Sequence, residues 1–236
     1  MSLTSKSEKP MRHSRFADSL TVAGLVLLGI VPAIAGSVRL HQLARGVVSA
    51  DNARFLAMPW PVVAHVVGAV LFALPGALQF SAQLRRRNLE WHRLAGWVLV
   101  PCGFAVSLSG LWMAQFYPRV AFDGAAVYWE RIVVGVAMTA SLWLGVTAVR
   151  RHDLGAHRAW MMRAWALGMG AGTQVLTLIP LMLAPSLQSE LSRALAMGAA
   201  WAINAVVAEY FIQRSVHSTA ANPQRIPASI RAAVME

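Results

Sequence analysis

Two histidines begin apolar segments of the chain in the same way. His92-Arg93 and His157-Arg158 each follow an arginine-rich stretch and precede a long apolar run. Two neutral imidazoles at one depth can ligate a b-type haem axially, and nearby arginines suit its propionates. The sequence therefore makes His92 and His157 candidate ligands of a single haem b, with Arg93, Arg158 and Arg163 as candidate propionate partners.

The same His-Arg pairs have a second interpretation, as interfacial residues. A His-Arg pair at the cytoplasmic mouth of a helix suits an anionic phosphate headgroup. A divalent metal held by His92, His157 and Glu209 is a weaker hypothesis, because zinc needs three or four converging ligands. No metal site is predicted.

Arg163 and Glu209 are charged residues inside apolar segments, where charge is expensive. Arg163 lies about 9 Å along its helix from His157, and Glu209 lies about 7 Å before Arg214 on a helix of opposite direction. The two should therefore lie at similar depth, and we predict that they pair. Gln79, near the cytoplasmic end of another segment, reaches the same layer.

Further polar residues lie deeper or toward the opposite side of the membrane. His65 lies about 7 Å into its apolar segment, and Glu130 lies just inside another, so a hydrogen bond between them is expected if those helices touch. Near the middle, Gln174 and Asn204 are predicted to hydrogen-bond across a helix pair, as polar residues of membrane helices commonly do.

Six apolar segments must position these side chains. Hydrophobic residues make up 57% of the 236 residues and charged residues only 13%, a composition that indicates lipid as the solvent. About 20 apolar residues cross a bilayer as a helix. The predicted helices are Leu20–Val38, Trp60–Leu84, Leu94–Phe116, Val127–Val149, Ala159–Ala184 and Leu195–Ile212. The sequence therefore predicts an all-α, six-helix transmembrane bundle.

The basic residues indicate the orientation of this bundle. Fifteen of the 21 Lys and Arg residues fall in the N-terminal segment, the second and fourth connections and the C-terminal tail. The positive-inside rule then places both termini in the cytoplasm. The net charge of +11 is explained by topology and anionic lipid headgroups, so no nucleic-acid partner is predicted.

Three regions follow from these assignments. Residues 1–19 form a basic cytoplasmic segment, residues 20–214 the six-helix domain, and residues 215–236 a flexible cytoplasmic tail. The single cysteine, Cys102, excludes an intramolecular disulfide. Phosphate loops, nucleophile elbows and zincin motifs are absent from the sequence, which leaves open whether the protein is an enzyme.

Three segments in fixed order carry a family resemblance. They are His65-Val66-Val67-Gly68 continuing to Gly76-Ala77-Leu78-Gln79-Phe80, then His92-Arg93-Leu94-Ala95-Gly96-Trp97, then His157-Arg158-Ala159-Trp160-Met161-Met162-Arg163-Ala164. Together they resemble the bacterial integral-membrane family catalogued as domain of unknown function 2306, which implies a multi-helix membrane protein and no particular activity. A looser similarity is to cytochrome b561-type carriers, although that class needs two pairs of histidines deep in its helices.

These observations predict a protein of the bacterial inner (cell) membrane. Its polar site in the cytoplasmic leaflet comprises Gln79, His92, His157, Arg163 and Glu209. The most specific hypothesis is that the protein carries electrons on one haem b and exchanges them with a quinone. The alternatives are a cofactor-free small transporter or lipid-headgroup-binding protein, and a structural accessory subunit of a membrane partner protein.

Overall fold

The computed structural model describes residues 12–49 and 52–220, and the regular secondary structure in those ranges is all helical. The all-α prediction is therefore confirmed for the described part of the chain. The chain divides into two compact units, Met1–Tyr117 (unit 1) and Pro118–Glu236 (unit 2). Most of the predicted N-terminal segment, and the tail beyond residue 220, lie outside the described residues.

Unit 1 is built from three long helices and two short ones. Helix α3 packs against both α1 and α5, and the short α4 contacts α1 and α5. The packing is antiparallel, because α3 places Gly68 against Cys102 of α5 and His65 beside Ser109. The helices are α1 (Arg12–Ala44), α2 (Ala53–Ala57), α3 (Pro59–Leu78), α4 (Ala82–Arg87) and α5 (Leu89–Phe116).

The predicted second helix, Trp60–Leu84, is two helices, α3 and α4, and its prediction as one helix is wrong. The carboxylate of Asp18 on α1 accepts hydrogen bonds from the Ser81 hydroxyl (2.6 Å) and from the amides of Ala82 (3.0 Å) and Gln83 (3.3 Å). These amides at the start of α4 would otherwise lack an acceptor. A side chain from a distant part of the sequence thus caps a new helix start.

Unit 2 consists of two long helices and a segment of shorter ones. Helix α10 contacts α6, α7 and α8, and α6 packs extensively on α7. Arg163 bonds Glu209 while Thr173 bonds Asn204, so α10 runs antiparallel to α7 and α8. The helices are α6 (Ala125–Arg150), α7 (Leu154–Gly168), α8 (Gly170–Thr177), α9 (Ile179–Leu183) and α10 (Glu190–Ala220), with a 3₁₀ turn at Pro185–Leu187.

The predicted fifth helix, Ala159–Ala184, is broken into α7, α8 and α9, so the prediction of one continuous span there is wrong. The first break, at Met169, falls in a glycine-rich stretch, and glycine costs about 1 kcal/mol in a helix interior. The second, at Leu178, precedes Pro180, which lacks an amide hydrogen and clashes with the preceding turn.

Five helices in the described ranges are long and apolar enough to cross a membrane: Ala17–Ala44, Pro59–Leu78, Leu89–Phe116, Ala125–Arg150 and Glu190–Val216. They correspond to five of the six predicted spans, and several extend further than predicted. Helix α10 continues to Ala220, past the predicted start of the tail at residue 215. The fold is that of a protein with several apolar helices, consistent with a multi-pass membrane protein.

Candidate functional site

The predicted pairing of Arg163 with Glu209 is confirmed. Arg163 Nε donates to Glu209 Oε1 at 2.5 Å, and Nη2 donates to Oε2 at 2.9 Å. The guanidinium carbon also lies 4.5 Å from the ring centroid of Trp160, one turn earlier on α7. The two bonds and the ring fix the plane of the guanidinium and leave Nη1 outside the pair.

This ion pair lies at the surface of unit 2. The side chains of Arg163 and Glu209 are 29% and 40% exposed. Around Glu209 on α10, Val206, Tyr210 and Phe211 are exposed as well. A charge pair of zero net charge therefore lies on an accessible helix surface that is apolar in part.

His157 lies two turns before Arg163 on α7, after Asp153 caps the helix by accepting from the Ala156 amide at 2.9 Å. Its Nδ1 is 2.9 Å from the carbonyl oxygen of Gly145 on α6. A carbonyl only accepts hydrogen bonds, so Nδ1 carries the proton and, in the neutral ring, Nε2 is the atom with a free lone pair. This orientation is the one that ligating histidines commonly have.

The remaining candidates of the predicted cytoplasmic layer are on both units. In unit 1, His92 is half-buried in the first turn of α5, Arg93 beside it is exposed, and Gln79 caps the end of α3. In unit 2, Arg158 is exposed on α7. That Gln79, His92 and His157 line one common site stays a prediction.

His65 has a structural explanation within unit 1. Its Nδ1 lies 3.1 Å from the carbonyl oxygen of Val106 and 3.1 Å from the Ser109 hydroxyl, both on α5. The Ser109 hydroxyl in turn donates to the carbonyl of Ala105. His65 therefore joins α3 to α5 by hydrogen bonds, and the predicted bond to Glu130 of unit 2 stays a prediction.

The predicted hydrogen bond between Gln174 and Asn204 is wrong. Asn204 accepts from the Thr173 hydroxyl at 2.7 Å and donates to the Ala166 carbonyl at 3.0 Å. The prediction assumed one continuous helix through this segment, whereas the break at Met169 changes which residues of α8 face α10. Helices α8 and α10 are therefore joined at the predicted level, but by Thr173 in place of the neighbouring Gln174.

The sequence interpretation missed Asp123, which anchors the start of α6. Its side chain is 1% exposed and its two carboxylate oxygens bind Arg131 Nη1 at 2.7 Å and Arg193 Nε at 2.6 Å. A signal was present, because the chain has only 10 Asp and Glu residues against 21 Lys and Arg. The few carboxylates of the chain were therefore the places to look for ion pairs.

Comparison with known proteins identifies the family. Residues 62–212 match the family described as "Predicted membrane protein (DUF2306)", a range that includes α5, α6 and most of α3 and α10. No curated protein and no solved structure matched, and similarity to the cytochrome b561 class was not shown. The match covers more than half of the chain, and the chain therefore belongs to this family of predicted membrane proteins.

Proposed function

We propose that the protein binds the anionic headgroup of a lipid-like molecule at Arg163, with Glu209 as the counter-charge that Arg163 releases when the ligand enters. The observation that carries this proposal is the two-bond Arg163–Glu209 pair, which is partly exposed rather than buried. A guanidinium fork matches a phosphate or a carboxylate equally well, so an anionic ligand can replace Glu209 with little change in geometry.

The surroundings of the pair favour an amphiphilic ligand over a soluble anion. Arg158 and half-buried His157 lie on the same helix, about 7.5 and 9 Å from Arg163 along the axis, and add positive or hydrogen-bonding groups on the side of the basic connection. Val206, one turn before Glu209 on α10, offers exposed apolar surface next to it. A molecule with a charged head and an apolar tail satisfies both surfaces.

The orientation in the membrane is part of the same proposal. We place the protein in a bacterial inner membrane with both termini cytoplasmic, which requires the broken segment α7–α9 to complete a sixth crossing. Fifteen of the 21 basic residues then lie on the cytoplasmic side. Labelling of single cysteines at residues 121 and 235, in a Cys102→Ser background, tests this placement: only residue 121 should react with an impermeant thiol reagent in intact cells.

Headgroup binding is tested with full-length protein in phosphatidylcholine nanodiscs that contain increasing phosphatidylglycerol, using native mass spectrometry to count bound anionic lipids. Arg163→Gln should weaken the tightest binding about tenfold or more, because a charge-assisted hydrogen bond contributes about 1.5–3 kcal/mol. Glu209→Gln should strengthen it, because the internal competitor for the guanidinium is lost. Arg151→Gln, at an exposed arginine of the α6–α7 connection, is the matched control.

Two outcomes would contradict the proposal. Unchanged binding in Arg163→Gln would show that the lipid binds elsewhere. Weaker binding in Glu209→Gln would show that Glu209 supports the site instead of competing for it. Because the two variants are expected to change affinity in opposite directions, a general loss of fold cannot imitate the expected result.

A second candidate function, haem-based electron transfer to a quinone, is favoured by the orientation of His157. The hydrogen bond to the Gly145 carbonyl leaves Nε2 of His157 as the atom available to ligate haem iron, and His92 is the second ligand that the sequence predicts. Gly96, one turn after His92, leaves open space where a side chain would begin. Arg163 is engaged by Glu209, so Arg93 and Arg158 are the better propionate partners.

The haem proposal has a direct test. A reduced-minus-oxidised visible spectrum of protein expressed with ample haem should show Soret and α bands that His92→Ala and His157→Ala each abolish. A colourless wild-type protein, or bands that survive both substitutions, would contradict a bis-histidine haem at these residues.

A further inference from the structure

Glu130 carries a carboxyl group of which one oxygen, Oε2, has no hydrogen-bond partner among the described residues. It lies on α6 beside Gly198 of α10, so close that a Cβ on Gly198 would come 2.7 Å from Glu130 Oε1. Its Oε2 is buried and makes no hydrogen bond to any described residue. The neighbouring arginine, Arg131, is held by Asp123 instead.

Two further polar groups lie near the same level of unit 2. Along α10, Gly198 lies between Asn204, which bonds Thr173, and the Ala194–Met197 cluster, against which Leu178 packs. The end of α8 that precedes Leu178 therefore lies closest to the level of Gly198, and Thr173 lies nearer Asn204.

Those residues of α8 include Gln174 and Thr177. Gln174 Nε2 and Thr177 Oγ1 are both buried without a hydrogen-bond partner among the described residues. Thr177 thus lies close to the level of Glu130, and Gln174 lies about one turn further toward Asn204. Buried polar groups are nearly always bonded, to protein or to water, so this layer is suited to hold water.

Arg131 is the one described charge that acts on Glu130, and no charged group of the surrounding helices forms an ion pair with Glu130 among the described residues. On its own side of the unit, Asp123 binds both Arg131 and Arg193, and Glu190 of α10 lies against Gly124. Helix α8 contains no titratable side chain. On α7, His157 contacts Gly145, which lies about 22 Å along α6 from Glu130, and Arg163 is paired with Glu209.

An isolated carboxylate in such surroundings is costly, and the neutral acid avoids that cost. The neutral acid also donates a hydrogen bond, which water held by Gln174 and Thr177 can accept. We propose that Glu130 is a proton-binding site inside unit 2, in a polar layer completed by Gln174 and Thr177. This site is independent of the headgroup site at Arg163, which lies toward the other end of the unit.

The proton is detected directly by infrared spectroscopy of the full-length protein in nanodiscs. A protonated carboxyl group absorbs at higher frequency than a carboxylate and shifts in heavy water. The wild type should show such a band at neutral pH, and Glu130→Gln should lose it. Glu209→Gln is the matched control and should keep the band, because Glu209 is ionised in its pair with Arg163.

A second measurement does not depend on the stability of a variant. Dicyclohexylcarbodiimide adds to protonated carboxyl groups in apolar surroundings, and mass spectrometry locates the adduct. In wild-type protein the adduct should form on Glu130, should fall as pH rises, and should be scarce on Asp123 and Glu209, which are paired with arginines.

The proposal is overturned if the band persists in Glu130→Gln, if wild-type protein lacks both band and adduct, or if the adduct forms mainly on Asp123 or Glu209. A band that appears only in sodium-free buffer would also overturn it, because it would show that in ordinary buffer the carboxylate holds a sodium ion and not a proton. Thr177→Val should alter the frequency of the band, because it removes a hydroxyl from the same layer; an unchanged frequency would remove Thr177 from the site.

Discussion

The two charged clusters of unit 2 differ in burial and in charge balance, although α10 contributes to both. Near the start of α10, one carboxylate, Asp123, is 1% exposed and binds two arginines that are 32% and 30% exposed. Near its end, Arg163 and Glu209 match one to one and are 29% and 40% exposed. The first cluster has no accessible carboxylate, whereas the second has both charges accessible.

This difference separates a structural role from the binding role that we propose. Removal of the buried carboxylate would leave two arginines without their counter-charge, so Asp123 is expected to fix the start of α6 against α10. An exposed ion pair contributes little to stability, so the Arg163–Glu209 pair can open at small cost. A site that must exchange partners needs the second kind of pair.

The largest effect is expected at the buried cluster. Asp123→Asn keeps the shape of the side chain but removes the charge that both arginines share, and should lower the free energy of unfolding by about 3–5 kcal/mol. Denaturant unfolding in detergent measures this loss. If the Asp123→Asn variant is as stable as the wild type, the buried cluster does not contribute more to stability than the exposed pair does.

An intermediate effect is expected between the clusters, where α8 packs on α10. A Cβ on Gly170 would overlap the indole ring of Trp201, so Gly170→Ala should lower the free energy of unfolding by about 1–3 kcal/mol. Gly96→Ala is the control, since a Cβ there meets no other atom within 4 Å, and should be neutral or stabilising. Equal effects of the two changes would show that the α8–α10 contact is not tightly packed.

The smallest effect on stability is expected at the exposed pair. Glu209→Gln should change the free energy of unfolding by about 1 kcal/mol or less. Arg163→Glu combined with Glu209→Arg should restore any loss caused by either change alone, but not headgroup binding, because the charge positions are exchanged. A loss as large as that of Asp123→Asn would identify the exposed pair as a structural cross-link, as expected of an accessory subunit.

The Arg163–Glu209 pair could be predicted because helix direction and rise fix the depth of each residue, and few charges share that depth. The partner of Asn204 could not be predicted, because the break at Met169 changes which side of the helix each later residue of the segment occupies. The Asp18 cap on α4 and the position of Asp123 depend on contacts between residues far apart in sequence. Local periodicity contains no information on such contacts.

The two-bond pair also has a consequence for biogenesis. Arg163 leaves the ribosome 46 residues before Glu209, a delay of roughly 2–10 s at about 5–20 residues per second. During that interval Arg163 has no counter-charge from α10, and on the proposed six-span topology an unpaired arginine is unfavourable in the segment. We expect the contacts between α6 and α7 to keep the α7–α9 segment at the translocon until α10 has been synthesised. On this view α10 completes the insertion of the α7–α9 segment.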